Sequence, residues 1–388
     1  MPFKATVAFL ATSAMAVMMM PASGKDDALQ MVSIDVEGGG GTLFVTPEGH
    51  SLLIDAGNPE DSRATGAYPS SQRIADTAHQ LGLKKIDYVL ITHYHVDHLG
   101  GLPNLLKRIP IGTFIDHGPN REVAGTQGTN GIIGPDGRTV SPLPGASPPR
   151  PGAPPFNTRP AKMTADYYDD YIKAIAGHRH IVARPGSVFH IDGLTDVIVA
   201  ADAQMIAKPL PGAGEATPGC SDMQPMFPNG GEENTRSTSS LITYGKVKIA
   251  AFGDLTWDRE KDLFCPVDKV GKVDVYLASH HGTQWSGSLP LISALQPIVT
   301  IMGDSATKGD DPDRVKTIEQ NPRFEALWRL HGSRAHPEID GTPDMIANPD
   351  PDPAKDGHYN LRLRIRKNGE ITVIDERNGF NRTYHAGG

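Results

Sequence analysis

Three histidines and an aspartate stand close together in the stretch LITHYHVDHLGG, residues 90–101. His93 and His95 alternate along the end of an apolar run, so both imidazoles lie on the same side of an extended chain and can reach one metal ion. Asp97 and His98 follow where the chain turns, and we expect them to face a second point nearby. Imidazole and carboxylate ligands together favour zinc or a similar first-row ion over calcium or magnesium.

Further ligands must come from distant parts of the chain. Asp254 ends the run IAAFGD, and His280 ends the run VYLASH, so both stand at the ends of apolar strands. We predict both as metal ligands; His281 is the alternative ligand to His280 or a residue that supports the ligands. His281 and His117, in FIDHGPN, are also the candidate proton donors, although His117 could instead be a loop histidine bonded to the backbone.

The elements that must position these residues are mostly strands. The runs at 52–54, 86–92 and 247–251 are apolar and end at Asp55, at the histidine cluster and near Asp254. A helix is predicted over residues 71–81, and another in ADYYDDYIKAIAGH, where Tyr167, Tyr168 and Tyr171 have helical spacing typical of packing residues. A hairpin is expected to turn at residues 368–369. Because ligand-type residues recur at strand ends, we expect one site at one edge of a sheet sandwich.

The N-terminus has the features of a secretory signal peptide. A short positive region at Lys4 precedes the apolar residues 5–20 and the small residues PASG, which predicts cleavage near residues 22–24. A retained membrane anchor is the alternative, but the apolar stretch is short for a span. We therefore expect a signal peptide over residues 1–24, a single domain over residues 25–388, a periplasmic or secreted location and no stable membrane insertion after cleavage.

Composition adds three expectations. The chain holds 42 Gly and 33 Pro, and they are dense over residues 119–162, which predicts a long surface insertion rather than core. The formal net charge is −8, which argues against a dedicated nucleic-acid partner and leaves a small-molecule or ester substrate. Cys220 and Cys265 are the only two cysteines; they either form one disulfide or remain unpaired thiols.

The pattern His-x-His-x-Asp-His after a strand, followed by a later Gly-Asp and a later His, resembles the metallo-β-lactamase superfamily. More narrowly, SIDVEGGGGTLFVTPEGHSLLIDAG, ITHYHVDHLGGL, NTRSTSSLITYGKVKIAAFGD and LASHHGT resemble the soluble hydrolase domain of the bacterial competence DNA-uptake channel, over about residues 29–305. The resemblance implies an α/β fold, an αββα four-layer sandwich, with a dinuclear metal site at the edge of its two sheets.

The sequence departs from that family at three places. Most members supply another histidine to the first metal, but Asn234 and Ser237 stand where it is expected. The resemblance then implies a first ion held by His93 and His95 with water or Asp254, and weakly bound. Gly40 stands where the DNA-uptake group has an aspartate, and the region around Asp310 replaces a late Gly-His-Pro; both changes argue against nuclease activity.

The expected function is that of an exported hydrolase that uses a metal-bound hydroxide, with one or two Zn²⁺ ions, or with Mn²⁺ as the alternative metal. Asp97 would place the second ion and orient the hydroxide, Asp254 would bridge the two ions, and His280 would complete the second site. Phosphoester or related bonds are the first substrate expectation. A β-lactam or lactone hydrolase and a non-catalytic metal-binding scaffold are the alternatives.

Overall fold

The computed structural model describes residues 27–121, 132–133, 139–140, 164–223, 233–352 and 355–387. The predicted signal peptide and most of the Gly/Pro-rich insertion lie outside these residues. Two short paired segments of the insertion are described, Ile132–Ile133 and Thr139–Val140. Within the described residues, no helix has the length and apolar character needed to cross a membrane.

Strands outnumber helices along the described chain. The strands are β1 (Leu29–Ser33), β2 (Thr42–Val45), β3 (Ser51–Ile54), β4 (Ile86–Leu90), β5 (Ile111–Asp116), β6 (Ile132–Ile133), β7 (Thr139–Val140), β8 (Arg179–Val182), β9 (Val188–Ile191), β10 (Leu194–Ala201), β11 (Gln204–Met205), β12 (Ser239–Tyr244), β13 (Val247–Ala251), β14 (Val275–Leu277), β15 (Val299–Met302), β16 (Ala326–His331), β17 (Ile346–Asn348), β18 (Leu361–Ile365), β19 (Glu370–Asp375) and β20 (Asn381–His385). The α-helices are α1 (Ser70–Gln80), α2 (Val96–Leu99), α3 (Leu102–Leu105), α4 (Thr164–Ile175), α5 (Trp257–Phe264), α6 (Leu289–Leu295) and α7 (Pro312–Glu319).

Two large sheets form the centre of the fold. The first has the strand order β20-β19-β18-β1-β2-β3-β4-β5-β8, and the second has the order β11-β10-β12-β13-β14-β15-β16-β17, with β9 also paired to β10. In each sheet an antiparallel part continues into a parallel part: β3, β4, β5 and β8 are parallel in the first, and β13 to β17 in the second.

The core has three apolar layers. One lies between the sheets and includes Phe44, Ile242 and Trp328. The second covers the outer face of the first sheet with helices that include α1 and α4, and the third covers the outer face of the second sheet with helices that include α5 and α6. Helices therefore flank two packed sheets, and the mixed α/β sandwich expected from the sequence is confirmed.

Parallel strands explain why ligand-type residues meet at one edge. The carboxyl ends of parallel strands point to the same side of a sheet, where polar groups are free of the ladder and can serve a site. In the first sheet β3 leads into Asp55 and β4 leads into the histidine cluster. In the second, β13 leads into Asp254 and β14 leads into His280 and His281. The two sheets thus present their ligand-bearing loops to one another.

Several local expectations can be compared directly with the structure. The helix expected over residues 71–81 is α1, and the hairpin expected at residues 368–369 joins β18 to β19. Cys220 and Cys265 form a disulfide, which decides between the two alternatives left open by the sequence. The three tyrosines of α4 lie on the packed side of this helix: Tyr171 is fully buried, and Tyr167 and Tyr168 contact the same apolar layer.

Candidate metal centre

Four of the expected residues converge at the edge of the sandwich. One ligand atom from each of Asp97, His98, Asp254 and His281 lies within 4.8 Å of the others. His98 Nε2 is 3.3 Å from Asp254 Oδ1 and 3.6 Å from Asp97 Oδ2. His281 Nε2 is 3.5 Å from each of the same two carboxylate oxygens. Two imidazole nitrogens and two carboxylates facing one point are a donor set that suits zinc.

The order within the His-His pair differs from the sequence expectation. His281, which the sequence offered as an alternative ligand or a proton donor, faces Asp97 and His98. His280, expected to complete this second site, turns to the other side of Asp254, where its Nε2 is 3.5 Å from Oδ2. The reason is the backbone at the pair, which has φ of 53° at His280 and 58° at His281 and so sends adjacent side chains in different directions.

His93 and His95 lie on that other side. His93 Nε2 is 3.8 Å from Asp254 Oδ2, and the rings of His93 and His95 meet edge to face with their centroids 4.7 Å apart. The ring of His93 also lies 4.1 Å, centroid to centroid, from that of His98. Four of the other five predicted metal ligands therefore lie around the carboxylate of Asp254, and the fifth, His95, contacts His93.

Asp55 fixes the orientation of His98. Its Oδ2 lies 2.7 Å from His98 Nδ1, and its two oxygens also accept hydrogen bonds from the backbone N–H and the hydroxyl of Thr92. A carboxylate that holds one ring nitrogen of a histidine keeps the proton there and turns the other nitrogen toward a metal. In the sequence Asp55 stood out only as the end of a strand, and that position was the available signal for its role.

Gly40 lets the chain pass close to this pair. A Cβ at residue 40 would lie 2.5 Å from Asp55 Oδ2 and 2.7 Å from His98 Nδ1. The amide of Gly40 donates to the carbonyl of Asp97 at 3.0 Å. Gly40 therefore has a steric role, since any side chain here would push on the histidine.

Both carboxylates of the cluster are held in their ionised form. Burial would raise the pKa of Asp254, but the neighbouring His98 and His280 hold it well below its usual range. Burial also opposes ionisation of Asp97, and Lys308 and His98 lower its pKa well below the ordinary value. Ionised carboxylates are the form that binds a metal ion.

The imidazoles fall into two groups by charge. Burial lowers the pKa of His93 well below its ordinary value and that of His280 to about 4, so both rings are neutral. Burial also disfavours the charged form of His98 and His281, but the carboxylates around them, Asp254 and Asp97 among them, together outweigh it and raise the pKa of both. Because only a neutral imidazole binds metal, an ion between Asp97 and Asp254 would take the place of these protons.

Lys308 is a site residue that no sequence pattern indicated. Its ammonium group contacts the carboxylate of Asp97 and donates to the carbonyl of Gly38 at 2.7 Å. The side chain is 37% exposed. Lys308 comes from the loop after β15, in the stretch KGDDPD.

His117 lies behind the site rather than in it. The residue is fully buried, its Nε2 lies 3.0 Å from Glu233 Oε2, and its ring packs against Tyr94 with centroids 4.4 Å apart. These contacts tie the side chain to a buried carboxylate and pack it beneath an aromatic ring, so its expected role as a proton donor remains a prediction without support from its position. Among the described residues, its ring nitrogens make no hydrogen bond to the backbone.

Three other residues noted in the sequence, Asn234, Ser237 and Asp310, also make defined contacts. Asn234 Nδ2 is 3.5 Å from His280 Nε2, and Ser237 Oγ accepts a hydrogen bond from the amide of Asp254 at 3.1 Å. Asp310 is buried and pairs with Arg329. The position of the expected additional histidine is thus occupied by an amide that contacts His280.

A second group of ligand-type residues holds one donor atom each of Asp35, Glu37, His331 and Asp356 within 4.8 Å. Here the carboxylate of Asp35 already pairs with Arg73 Nη1 at 2.7 Å and with His331 Nε2 at 2.9 Å. The buried guanidinium supplies positive charge that a cation would otherwise bring. This group therefore serves as an ion-pair network between α1, β16 and the loop after β1.

Comparisons with known proteins support the superfamily for part of the chain. Residues 37–161 match the model of the metallo-beta-lactamase superfamily. This range includes the cluster His93 to His98 and the first parallel strands of the first sheet. No curated protein matches the sequence. The stretch that matches and the two-sheet architecture agree with the superfamily that the histidine motif indicated.

Several solved structures match the chain at low sequence identity. A metallo-beta-lactamase with a HARLDQ motif from Cronobacter sakazakii is 16% identical, with 55% of this chain and 56% of that chain covered and a TM-score of 0.29. The metallo-beta-lactamase fold protein YhfI from Bacillus subtilis is 11% identical (78% and 96% covered, TM-score 0.40). CmlA, a diiron beta-hydroxylase from Streptomyces venezuelae, is 12% identical (80% and 54% covered, TM-score 0.39). The chain thus spans little more than half of the Cronobacter protein, and at these TM-scores the similarities say nothing of its activity.

Proposed function

We propose that the protein is a metal-dependent hydrolase whose site is the cluster around Asp254. The observation that carries the proposal is the convergence of Asp97, His98, Asp254 and His281 within 4.8 Å at the edge where the two sheets meet. Buried imidazoles and carboxylates without a cation between them are rarely kept for packing, because each polar group must lose its water. The donor types support zinc, with manganese as the second choice.

A divalent cation in this cluster would supply Lewis acidity and bring the pKa of a bound water toward neutrality. The chain's own residues define where a substrate can enter. Asp254 lies between the two groups of imidazoles, and Asp97 forms an ion pair with the ammonium group of Lys308. The positive charge of Lys308 favours a substrate that carries or develops negative charge next to it. That preference supports phosphoester or related bonds as the first choice of substrate.

The site and the charge of the chain favour a small substrate. The formal net charge of −8 argues against a nucleic-acid partner, because a nucleic-acid backbone is held by positive surface charge. We therefore propose a small-molecule or ester substrate. The resemblance to the DNA-uptake hydrolase would then concern the type of bond that is cleaved. A β-lactam or lactone is the substrate to test against it.

We also propose export to the periplasm or the medium, with removal of the first 22–24 residues. The Cys220–Cys265 disulfide supports this location, because disulfides persist in oxidising compartments. N-terminal sequencing of the protein recovered from the periplasmic fraction or the medium tests it. An intact N-terminus on protein recovered only from the membrane would instead indicate a retained anchor.

The activity is tested with purified mature protein, analysed for metal and then assayed with added Zn²⁺ or Mn²⁺. The substrates are bis-p-nitrophenyl phosphate, nitrocefin and a lactone. We expect turnover of the phosphodiester, and loss of turnover in Asp254→Asn but not in the surface control Asp262→Asn. Turnover of nitrocefin or the lactone without turnover of the phosphodiester would mean that the substrate is a β-lactam or lactone rather than a phosphoester. Bound metal without turnover of any of the three would favour a metal-binding scaffold.

A further inference from the structure

The carboxylate of Asp254 divides the cluster into two halves. Its Oδ1 lies 3.3 Å from His98 Nε2 and 3.5 Å from His281 Nε2. Its Oδ2 lies 3.8 Å from His93 Nε2 and 3.5 Å from His280 Nε2. Each oxygen therefore faces two imidazoles, and the adjacent residues His280 and His281 contribute to opposite halves.

Such a division requires an unusual backbone. His280 and His281 both have left-handed φ values, a conformation that is strained for non-glycine residues and persists only when the surroundings enforce it. The ring centroids consequently lie 6.3 Å apart, with the planes inclined at 76°. Because both residues have this strained backbone, the two adjacent imidazoles can face different oxygens of Asp254.

All four imidazoles around Asp254 are held by the nitrogen that faces away from it. His281 Nδ1 donates to the carbonyl of Gly303 at 2.9 Å, and His280 Nδ1 lies 3.2 Å from Ser286 Oγ. His98 Nδ1 contacts Asp55, and His93 Nδ1 lies 3.1 Å from Thr92 Oγ1. Metal-binding histidines usually have one ring nitrogen held in this way, which leaves the other for the metal.

The half around Oδ2 also contains an unsatisfied polar atom. His93 Nε2 is buried and makes no hydrogen bond within the described residues. An unpaired buried polar atom destabilises the folded protein, and this penalty is removed when the nitrogen binds an ion. This nitrogen and that of His280 both lie within 4 Å of the same oxygen of Asp254.

We propose that His280 is the third imidazole of a first metal ion, bound with His93, His95 and Oδ2 of Asp254, while His281 belongs to the second ion. This inference rests on the proposed function. It replaces the expectation of a first ion held only by His93, His95 and water or Asp254. The contact of His280 Nε2 with Asn234 places this imidazole beside the residue found where another histidine was expected.

The test measures metal binding by the full-length mature protein rather than activity. Apo-protein is titrated with Co²⁺ and then with Zn²⁺, and the affinity and the visible spectrum of each bound ion are recorded. His280→Gln and His93→Gln should each weaken the same ion at least about tenfold and leave the other, whereas Asp97→Asn should weaken only the second ion. The exposed His385→Gln is the control for loss of a histidine.

Combined variants assign the two halves. His93→Gln with His280→Gln should affect one ion only, and His280→Gln with Asp97→Asn should affect both. His280→Asn, together with circular dichroism and a melting curve for each variant, separates loss of a ligand from loss of the fold. The inference is wrong if His280→Gln and His280→Asn both fold and bind both ions with the wild-type affinity. It is also wrong if either variant weakens only the second ion, which is the ion expected to bind Asp97. In both cases the hydrolase proposal stands. If the wild-type protein binds no ion at all, the proposed function fails as well.

Discussion

At the scale of single residues, the geometry of the centre depends on groups that do not face the metal position themselves. Asp55 holds His98, the backbone carbonyl of Gly303 holds His281, and Thr92 supports both Asp55 and His93. Such contacts fix the proton on one ring nitrogen, so that the other is free as a donor. Changes to these partners should therefore alter metal affinity without removing a ligand.

Asp55→Asn should lower the metal affinity about 10- to 100-fold. While one side-chain atom of Asn still accepts from Thr92, its amide N–H₂ would face His98 Nδ1 and move the imidazole proton to Nε2, the nitrogen that faces Asp254. Metal titration measures the effect. Asp87→Asn is the matched control, because Asp87 makes a similar contact with His50 Nδ1, at 3.2 Å, on an exposed surface. Equal affinities in both variants would contradict a supporting role for Asp55.

Gly40→Ala should also weaken metal binding, because the added methyl group would collide with Asp55 and His98. Gly303→Ala is the control from the same edge of the sheets: a Cβ there meets nothing within 4 Å, and the carbonyl that holds His281 is retained. We expect a loss of metal affinity of about tenfold or more in the first variant and little change in the second. A Gly40→Ala protein with unchanged affinity would show that the loop moves aside freely.

At the scale of elements, the strand β10 contains a buried charged residue that has a consequence for stability. Asp196 lies in β10 between Leu194 and Ile198, which belong to the layer between the two sheets. The side chain is fully buried, and this burial raises the pKa of its carboxyl group to about 7. The folded state therefore binds a proton more tightly than the unfolded chain does.

Because its folded pKa is raised, Asp196 should reduce stability progressively as pH rises from about 4 to about 7. Asp196→Asn should remove this slope and raise the unfolding free energy at pH 8, by a value on the order of 2–4 kcal/mol. Urea unfolding at pH 5 and pH 8 tests the prediction, with Asp192→Asn in the preceding turn as an exposed control. A variant less stable than wild type at pH 8 would mean that the ionised carboxylate is well accommodated.

At the scale of the whole molecule, contacts between distant segments hold the two sheets and the long loops together. Asp35 links Arg73 of α1 to His331 of β16 through buried ion pairs. The Cys220–Cys265 disulfide joins the loop after β11 to the end of α5 across 45 residues. The ion pairs of Asp35 and the disulfide therefore connect segments that are far apart in the sequence.

Cys220→Ser with Cys265→Ser should lower the unfolding free energy by about 2–4 kcal/mol, since the bond closes a loop of 45 residues in the unfolded chain. Thermal unfolding with and without a reductant measures the effect. The wild-type midpoint should fall in reductant, and the double variant should be insensitive to it. Identical midpoints for wild type in both conditions would show that the bond is absent or does not restrain the unfolded chain.

The sequence alone predicted most of the side chains of the candidate centre and their positions at strand ends. The spacing of His93, His95, Asp97 and His98 after an apolar run, with Asp254 and the His-His pair after later runs, placed them at strand ends, because alternation and strand termination are local properties of the chain. The α/β sandwich followed from the resemblance that this motif carries. The tertiary structure brings these residues together as that pattern predicts.

Only the tertiary structure decided how the donors are shared. The division of His280 and His281 between the oxygens of Asp254 depends on left-handed backbone conformations and on partners from other loops. The contacts of Asp55 with His98 and of Lys308 with Asp97 join residues 43 and 211 positions apart. Local sequence patterns report the conformation of a segment, whereas contacts between loops depend on how the two sheets pack, which no local spacing encodes.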